Sequence, residues 1–330
     1  FVGSRGLGDV YKRQLYMYIS QIGITQIAGL VAFGFFESDS SINLLRSNMT
    51  NSFEGSYFFY QLMFEELLLF VTLISFALNP KRSALIWPFR ILVFLVCMFT
   101  LLMSAQKAPI MELFFGLIMI FSLKQLSGVL PSKLILLSSP IIVVLLVLFY
   151  QTFTEFDSFL LSFAGVLSRT FTGPIEAIYV YLSYFPEYSD FLGGASFPNP
   201  RGIFPYEPVT ITQEIMAWYN PNEAKLGIVG SIPAIYWVEA YANFGLGGVI
   251  LVSFSIGFLL HALNLILMSF KNDPISSSFF VWLALFYKDL SQTFFSNYIY
   301  SGHLLLTFLV FIIITLIVNK GKIYFRQDQA

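Results

Sequence analysis

Across 330 residues the chain is 57% hydrophobic and only 11% charged, with a formal net charge of -1, whereas soluble domains carry about 25% charged residues. That balance, with repeated apolar runs long enough to cross a bilayer, predicts an all-α integral membrane protein built as a polytopic helical bundle. It argues against a nucleic-acid partner, which needs a basic surface, and one cysteine with two histidines leaves no disulfide framework and no common metal site.

In chain order, residues 1–14, "FVGSRGLGDVYKRQ", differ from everything after them and resemble a translated sequencing adaptor. They are set aside as non-native, with the expectation that the natural gene continues upstream. Eight spans are predicted: Leu15–Phe36, Tyr57–Leu78, Ala84–Ser104, Ala108–Leu123, Leu134–Tyr150, Leu246–Phe270, Ile275–Tyr298 and Gly302–Asn319. Five of them fill residues 15–150, three fill 246–319, and 320–330 is a tail. Lys81, Arg82, Lys124, Lys133, Lys271, Lys320, Lys322 and Arg326 fall in alternate loops, so these loops and the tail are expected to be cytoplasmic. The same alternation puts residues 151–245 on the outer side as one large extracytoplasmic loop, far too long for a connector. Its first part, Ser158–Phe185, reads as interfacial helix. Its second, Pro186–Gly230, reads as turns, with "NP" at Asn199 and Asn220.

The loop carries Arg169, in "LSRTFTGPIEAIYVY", and Arg201, in "FPNPRGIFPYEP". A guanidinium is a permanent planar fork of donors that pairs bidentately with phosphate. Two of them beside a membrane can hold a diphosphate headgroup; alternatively each caps a helix or pairs with Glu176 or Glu207. Lys107, in a tight outer turn, is either a snorkelling lysine or a third cation for the same headgroup. Near the end of the loop, Tyr236, Glu239 and Asn243 fall at i, i+3 and i+7, one face of a helix. They stand just before Gly245, Gly247 and Gly248, which let the chain turn into the next span. Glu239 can act as general base toward a sugar hydroxyl, orient such hydroxyls, or anchor the loop structurally. Inside the spans, Glu65 or Glu66 is expected to pair with Lys288, and Asp289 to face outward or bind Gln292. Arg90 beside Trp87 reads as snorkelling, His261 as structural, and His303, opening the last span, as a site candidate.

Three stretches together resemble a known family: "SAQKAPIMELFF", "FLGGASF", and "GSIPAIYWVEAYANFGLGGVIL" with "VEAYANFGLGG" (Val238–Gly248) at its centre. The combination, over Ala84 to Asn319, resembles the bacterial oligosaccharide repeat unit polymerases, the Wzy-type O-antigen polymerase family. The resemblance implies a GT-C-like membrane glycosyltransferase of the bacterial inner membrane with its loop on the periplasmic side. It further implies transfer of a glycan from undecaprenyl diphosphate to the next lipid-linked repeat unit, without nucleotide sugar, metal or cofactor. Arg169 and Arg201 would engage the diphosphate, with Lys107 beside them, and their fixed charge would stabilise the leaving group. Glu239 is the first choice for the base and Glu214 the second. Tyr241, Asn243 and His303 join the substrate-binding set. Tyr179, Tyr181, Trp218, Tyr219 and Trp237 would offer faces for sugar rings. Implied partners are membrane lipid, a chain-length regulator and a flippase. The chain departs from the family in having eight spans where members have more, and in its Arg-to-Gly spacing. The rival readings are an O-antigen ligase, which shares donor and architecture, and a secondary transporter or flippase centred on Glu65, Glu66, Lys288 and Asp289.

Overall fold

The computed structural model describes residues 57–78, 86–103, 107–125, 158–168, 173–199, 202–222, 231–269, 273–299 and 301–327, with isolated positions between 136 and 148. Among the described residues all regular structure is helical. Helix α1 is assembled from Tyr57–Tyr60, a π-helical section Gln61–Leu67 and Leu68–Ala77. It is followed by α2 (Ile86–Met103), α3 (Lys107–Gln125), α4 (Phe159–Leu167), α5 (Gly173–Tyr184) and α6 (Ile211–Tyr219). The chain ends with α7 (Tyr236–Ser269), α8 (Pro274–Lys288), α9 (Ser296–Ile299) and α10 (Gly302–Gln327).

Among the described residues, three stretches are long and apolar enough to cross a membrane: Phe58–Ala77, Tyr236–Leu267 and Ser296–Val318. Ile86–Leu101 is apolar but shorter. The expected span Leu15–Phe36 lies outside the described residues, and so does most of Leu134–Tyr150. The outward surface of the helices is apolar: Leu92 is 61% exposed on α2, and Leu246, Ile250 and Phe254 are 73–75% exposed on α7. A contiguous apolar surface of this kind is tolerated in lipid, where it displaces no water.

The expected span Ile275–Tyr298 is not one helix. It stops at Lys288, passes through a 3-10 turn at Asp289–Ser291 and resumes at Ser296. The break shows in the backbone bonding: Gln292 N donates to the Asp289 carbonyl at 2.8 Å in place of that of Lys288, and a side-chain hydroxyl takes the carbonyl left over. Ser291 Oγ donates to the Lys288 carbonyl at 2.8 Å, and Thr293 Oγ1 donates to that of Asp289 at 2.9 Å. The Asp289 carboxylate, expected to face outward or bind Gln292, takes up the ammonium of its neighbour Lys288.

By internal packing the chain falls into two compact units. The first draws on residues within Phe1–Val166, Asn272–Leu285 and Leu306–Ala330. Its core holds Phe70, Leu73, Leu101, Leu113, Trp282 and Phe311, all nearly inaccessible. Phe279 stacks on Phe311 with centroids 4.3 Å apart. Gly116 lets α3 close in: a methyl there would sit 3.0 Å from Leu73 and 3.1 Å from Leu285. Polar groups are satisfied close to home, as an apolar solvent requires. Thr72 Oγ1 donates to the Leu68 carbonyl at 2.7 Å, Ser75 Oγ to that of Thr72 at 2.7 Å, and Thr100 Oγ1 to that of Cys97 at 2.9 Å. Glu66, expected to meet Lys288, accepts a 2.8 Å hydrogen bond from the Trp282 indole.

Arg90 does not snorkel. It is buried, its Nε donates to the Ser75 carbonyl at 2.7 Å, and its Nη2 donates to the Leu78 carbonyl. Lys124 Nζ donates to the Phe76 and Leu78 carbonyls at 3.2 and 2.6 Å. Two cations therefore cap the C-terminus of α1, where orphan carbonyls and the helix dipole favour positive charge. The guanidinium also lies over the rings of Phe76 and Trp87.

The second unit comprises Leu167–Lys271 and Phe286–Leu305. Helix α5 and the start of α7 bury Val180, Tyr181, Phe185, Val238 and Ala242, with Ile211 and Ile215 of α6 and Phe294 completing the core. Helices α4 and α5 fall in the stretch expected to be helical. Helix α6 does not, since Pro186–Gly230 was expected to be turns. The nine residues Ile211–Tyr219 are few for a sequence pattern, and it is burial of Ile211 and Ile215 that holds them helical.

Candidate functional site

The helix α7 begins at Tyr236 and is interrupted at Gly245, whose φ of 63° and ψ of -155° lie in a region that only glycine occupies without strain. Residues Tyr236 to Phe244 thus form a short helix with an end of its own, whose last carbonyls need donors from elsewhere. Those donors come from "FLGGASF". Leu192 N donates to the Ala242 carbonyl at 3.1 Å, and Gly193 N to the Asn243 carbonyl at 2.9 Å. Gly194 N donates to Asn243 Oδ1 at 3.0 Å. Gly193 and Gly194 both have positive φ, which allows three successive amides to be presented to one helix end.

At the centre lies Glu239, with no exposed surface. Ser196 Oγ donates to its Oε1 at 2.9 Å and the backbone N of Ser296 donates to its Oε2 at 3.0 Å. Asn243 Nδ2 bridges back, donating to Ser196 Oγ and to the Glu239 carbonyl, both at 2.8 Å. A buried carboxylate is costly unless its oxygens are hydrogen-bonded, and here both are. The stretch 189–197, the first turns of α7 and the start of α9 are tied by this one side chain. Phe197 seals the set, with its ring 5.3 Å from Phe295 and 5.9 Å from Phe244.

A second cluster lies between α5 and α6. Tyr184 Oη donates to Glu214 Oε1 at 2.8 Å, and Tyr219 Oη donates to Glu176 Oε1 at 3.0 Å. The rings of Tyr184, Tyr188 and Trp218 stand mutually 5.0–6.4 Å apart. Burial, then the hydrogen bond to Glu214 and its charge, pushes the Tyr184 phenol up to about 12. The hydrogen bond to Glu176, followed by its charge, raises Tyr219. Tyr181, which donates to the Ile232 carbonyl at 2.8 Å, is raised by burial first and by the nearby Glu239 second.

The residues singled out in the sequence are distributed as follows. Glu239 and Asn243 meet in the first cluster, with Tyr241 beside them, its hydroxyl toward the Phe185 carbonyl at 3.4 Å and its ring edge-on to Phe191. Glu214 and Trp218 meet in the second. Trp237 packs half-buried against the core. His303 is the second residue of α10, half-buried, and Lys107 is the first residue of α3. Arg169 and Arg201 lie outside the described residues. Sequence reasoning did not name Ser196, Ser296, Tyr184 or Tyr188. Ser196 sits inside the quoted "FLGGASF", Tyr184 lies in the stretch read as helical, and Tyr188 lies in the stretch read as turns. Ser296 contributes a backbone amide, which leaves no mark in a sequence.

No protein-family model, curated protein or solved structure matches the chain significantly. Among the described residues no group of three or more His, Cys, Asp or Glu is placed to hold a metal ion.

Proposed function

We infer that the chain is a membrane glycosyltransferase that polymerises undecaprenyl-diphosphate-linked oligosaccharide repeat units. In this reading it is an eight-span, GT-C-like protein of the bacterial inner membrane with its large loop on the periplasmic side. One observation carries the reading: two of the three stretches that resemble the polymerase family, "FLGGASF" and "VEAYANFGLGG", are one hydrogen-bonded unit although their bonded residues lie 43 to 50 positions apart. A shared loop-to-helix lock gives a physical reason for both to be present in one chain.

In the proposed reaction an acceptor sugar hydroxyl attacks the anomeric carbon of the donor glycan. The bond from that carbon to the diphosphate oxygen breaks, undecaprenyl diphosphate leaves, and the hydroxyl proton passes to a carboxylate. Arg169 and Arg201, with Lys107, would neutralise the leaving charge. A base must come within hydrogen-bond reach of the proton it takes. Glu239 has both oxygens occupied, so its proposed role is positioning: it holds the stretch 189–197 against the start of α7. Glu214, exposed and oriented by Tyr184, becomes the carboxylate proposed to meet the acceptor hydroxyl. A ligase acting on the same donor would use the same parts. The transporter or flippase reading keeps one observation of its own, the π-helical section that carries Glu65 and Glu66 within an apolar helix, since such sections recur at functional sites.

Deleting the gene in its source organism and complementing with variants tests the reading, with surface polysaccharide resolved as a ladder on a gel. Deletion should leave single repeat units, and Arg201→Ala should cut polymer formation on the order of 10²–10³-fold. A normal ladder from Arg201→Ala and Arg169→Ala together, with loss on Glu65→Gln, would transfer the function to the span carboxylates.

A further inference from the structure

The face shared by α5 and α6 has a composition that the lock at Glu239 does not use. The two helices run antiparallel, since Glu176 near the start of α5 meets Tyr219 at the end of α6, while Tyr184 at the end of α5 meets Glu214 near the start of α6. The result is a reciprocal pair of phenol–carboxylate contacts separated by eight residues of α5, about 12 Å along the helix, which is longer than one sugar ring. Tyr188 leaves 64% of its surface open and Tyr219 44%, and the carboxylates of Glu176 and Glu214 belong to exposed residues.

Charge decides the occupant. The described residues 173–199 and 202–222 contain Glu176, Glu187, Asp190, Glu207 and Glu214 but neither lysine nor arginine. Such a face repels a phosphate, an anionic lipid surface and a glycan bearing uronic acids. Flat aromatic faces flanked by fixed carboxylate acceptors suit the opposite chemistry: the apolar C–H face of a pyranose lies on an aromatic ring while its hydroxyls donate to the carboxylates. The phenol hydroxyls of Tyr184 and Tyr219 hold each carboxylate in place beforehand, so little side-chain entropy is lost on binding.

We propose that the α5–α6 face, through Tyr188, Trp218, Glu214 and Glu176, is a binding subsite for a neutral oligosaccharide more than one ring long. The proposal rests on the glycosyltransferase reading for the origin of that glycan, and it assigns the sugar end of the substrate to a face whose described residues carry only acidic charge.

The test is saturation-transfer difference NMR on the full chain in nanodiscs, with three neutral probes: maltohexaose, chitohexaose, and the repeat-unit oligosaccharide released from the source organism's surface polysaccharide. An oligogalacturonate is the charged probe. At least one neutral probe should show ring C–H saturation, the charged probe none, and Tyr188→Ala should weaken binding at least ten-fold. Tyr188 is mostly exposed, so this variant tests the face without disturbing the core, and Glu214→Gln separates loss of charge from loss of fold. Absence of binding by all three neutral probes overturns the proposal, as does binding unchanged in Tyr188→Ala with Glu214→Gln. Strong quenching of tryptophan by brominated lipid that is lost in Trp218→Phe would assign the face to the membrane instead. The two readings fail separately. A normal ladder after gene deletion, with glycan binding lost in Tyr188→Ala, removes the polymerase and keeps the subsite. A lost ladder, with full binding and polymer in Tyr188→Ala, does the reverse.

Discussion

Arg90 and Glu239 are both buried charges beside a helix end, and the two units satisfy them in different ways. The guanidinium of Arg90 reaches carbonyls 12 and 15 residues away, at the end of the preceding helix, and shares the task with Lys124. The carboxylate of Glu239 is held by groups 43 residues before it and 57 after it. The first unit thus pairs hydroxyls such as Thr72, Ser75 and Thr100 within their own helices, and caps the end of α1 with two cations that share one carbonyl, Arg90 from 12 positions away and Lys124 from 46. The second depends on a few long-range bonds between a loop without regular structure and one short helix. Local satisfaction tolerates loss because other groups remain nearby. Long-range satisfaction concentrates dependence on single side chains.

The largest break expected is therefore at Glu239. Glu239→Ala strips a buried hydroxyl and a buried amide of their acceptor and leaves a cavity, together costing about 3–5 kcal/mol. Glu239→Gln keeps the shape and one acceptor oxygen and should cost roughly half as much. Protease susceptibility of the chain between Pro186 and Val209, in nanodiscs, reads the difference directly. If Glu239→Ala is cut no faster than the parent, the lock does not hold the loop. Ser75→Ala in the first unit is the contrast, with an expected cost of about 1 kcal/mol.

The bend into the long helix is the next point of concentration. A methyl on Gly248 would stand 2.5 Å from the Ala240 carbonyl and 2.6 Å from Phe244 Cβ, and neither atom can swing aside. Gly248→Ala should destabilise the second unit by about 2–3 kcal/mol. Gly257→Ala, further along the same helix with nothing within 4 Å of the added methyl, should be stabilising by about 0.5–1 kcal/mol. Opposite signs within one helix, measured by the same proteolysis, would show that the bend and not the helix is the constraint. Equal effects would dissolve the distinction.

What could be read in advance follows the same division. Long apolar helices were legible because lipid demands them whatever their partners, and five of the expected spans coincide in position with described helices, while the expected Ile275–Tyr298 is broken at Asp289. The breaks were less so. The 3-10 turn at Asp289 depends on which carbonyl the Gln292 amide takes, and α6 on burial of two isoleucines, neither of which leaves a periodic signal. In the site, Glu239 and Asn243 stood out as polar residues at a membrane doorway, and their shared face on a helix could be counted. Their partners could not, because Ser196 lies 43 positions away and Ser296 acts through its backbone.

In the first unit the comparison predicts a smaller effect from losing a buried cation. Arg90→Met removes two donors from the α1 terminus, but Lys124 still reaches the Phe76 and Leu78 carbonyls, so the cost should be about 1–2 kcal/mol. Arg90→Met with Lys124→Met should cost more than the sum of the single changes, since only then does the Leu78 carbonyl, which both cations reach, lose its last donor. A strictly additive pair would mean that the two cations do not substitute for one another, and local redundancy would not be what protects this unit.

The smallest effect is a pH dependence confined to the second unit. The phenol of Tyr184, pushed up to about 12 by burial and by its bond to Glu214, holds its proton more tightly in the folded chain than in the unfolded one, where it titrates near 10. Its contribution is fully present below pH 10, because both states are then protonated and the hydrogen bond to Glu214 stands. As pH rises from about 10 through about 12 the unfolded chain releases the proton first, the unfolded state gains, and that contribution is lost. Protease resistance of the loop should therefore fall over that range, and Tyr184→Phe should flatten the fall while lowering resistance at neutral pH. The Arg90 cap contains no phenol, so cleavage within the first unit should not follow the titration of Tyr184. If both units soften in parallel and Tyr184→Phe changes neither, the alkaline transition belongs to the whole chain and not to the α5–α6 contact.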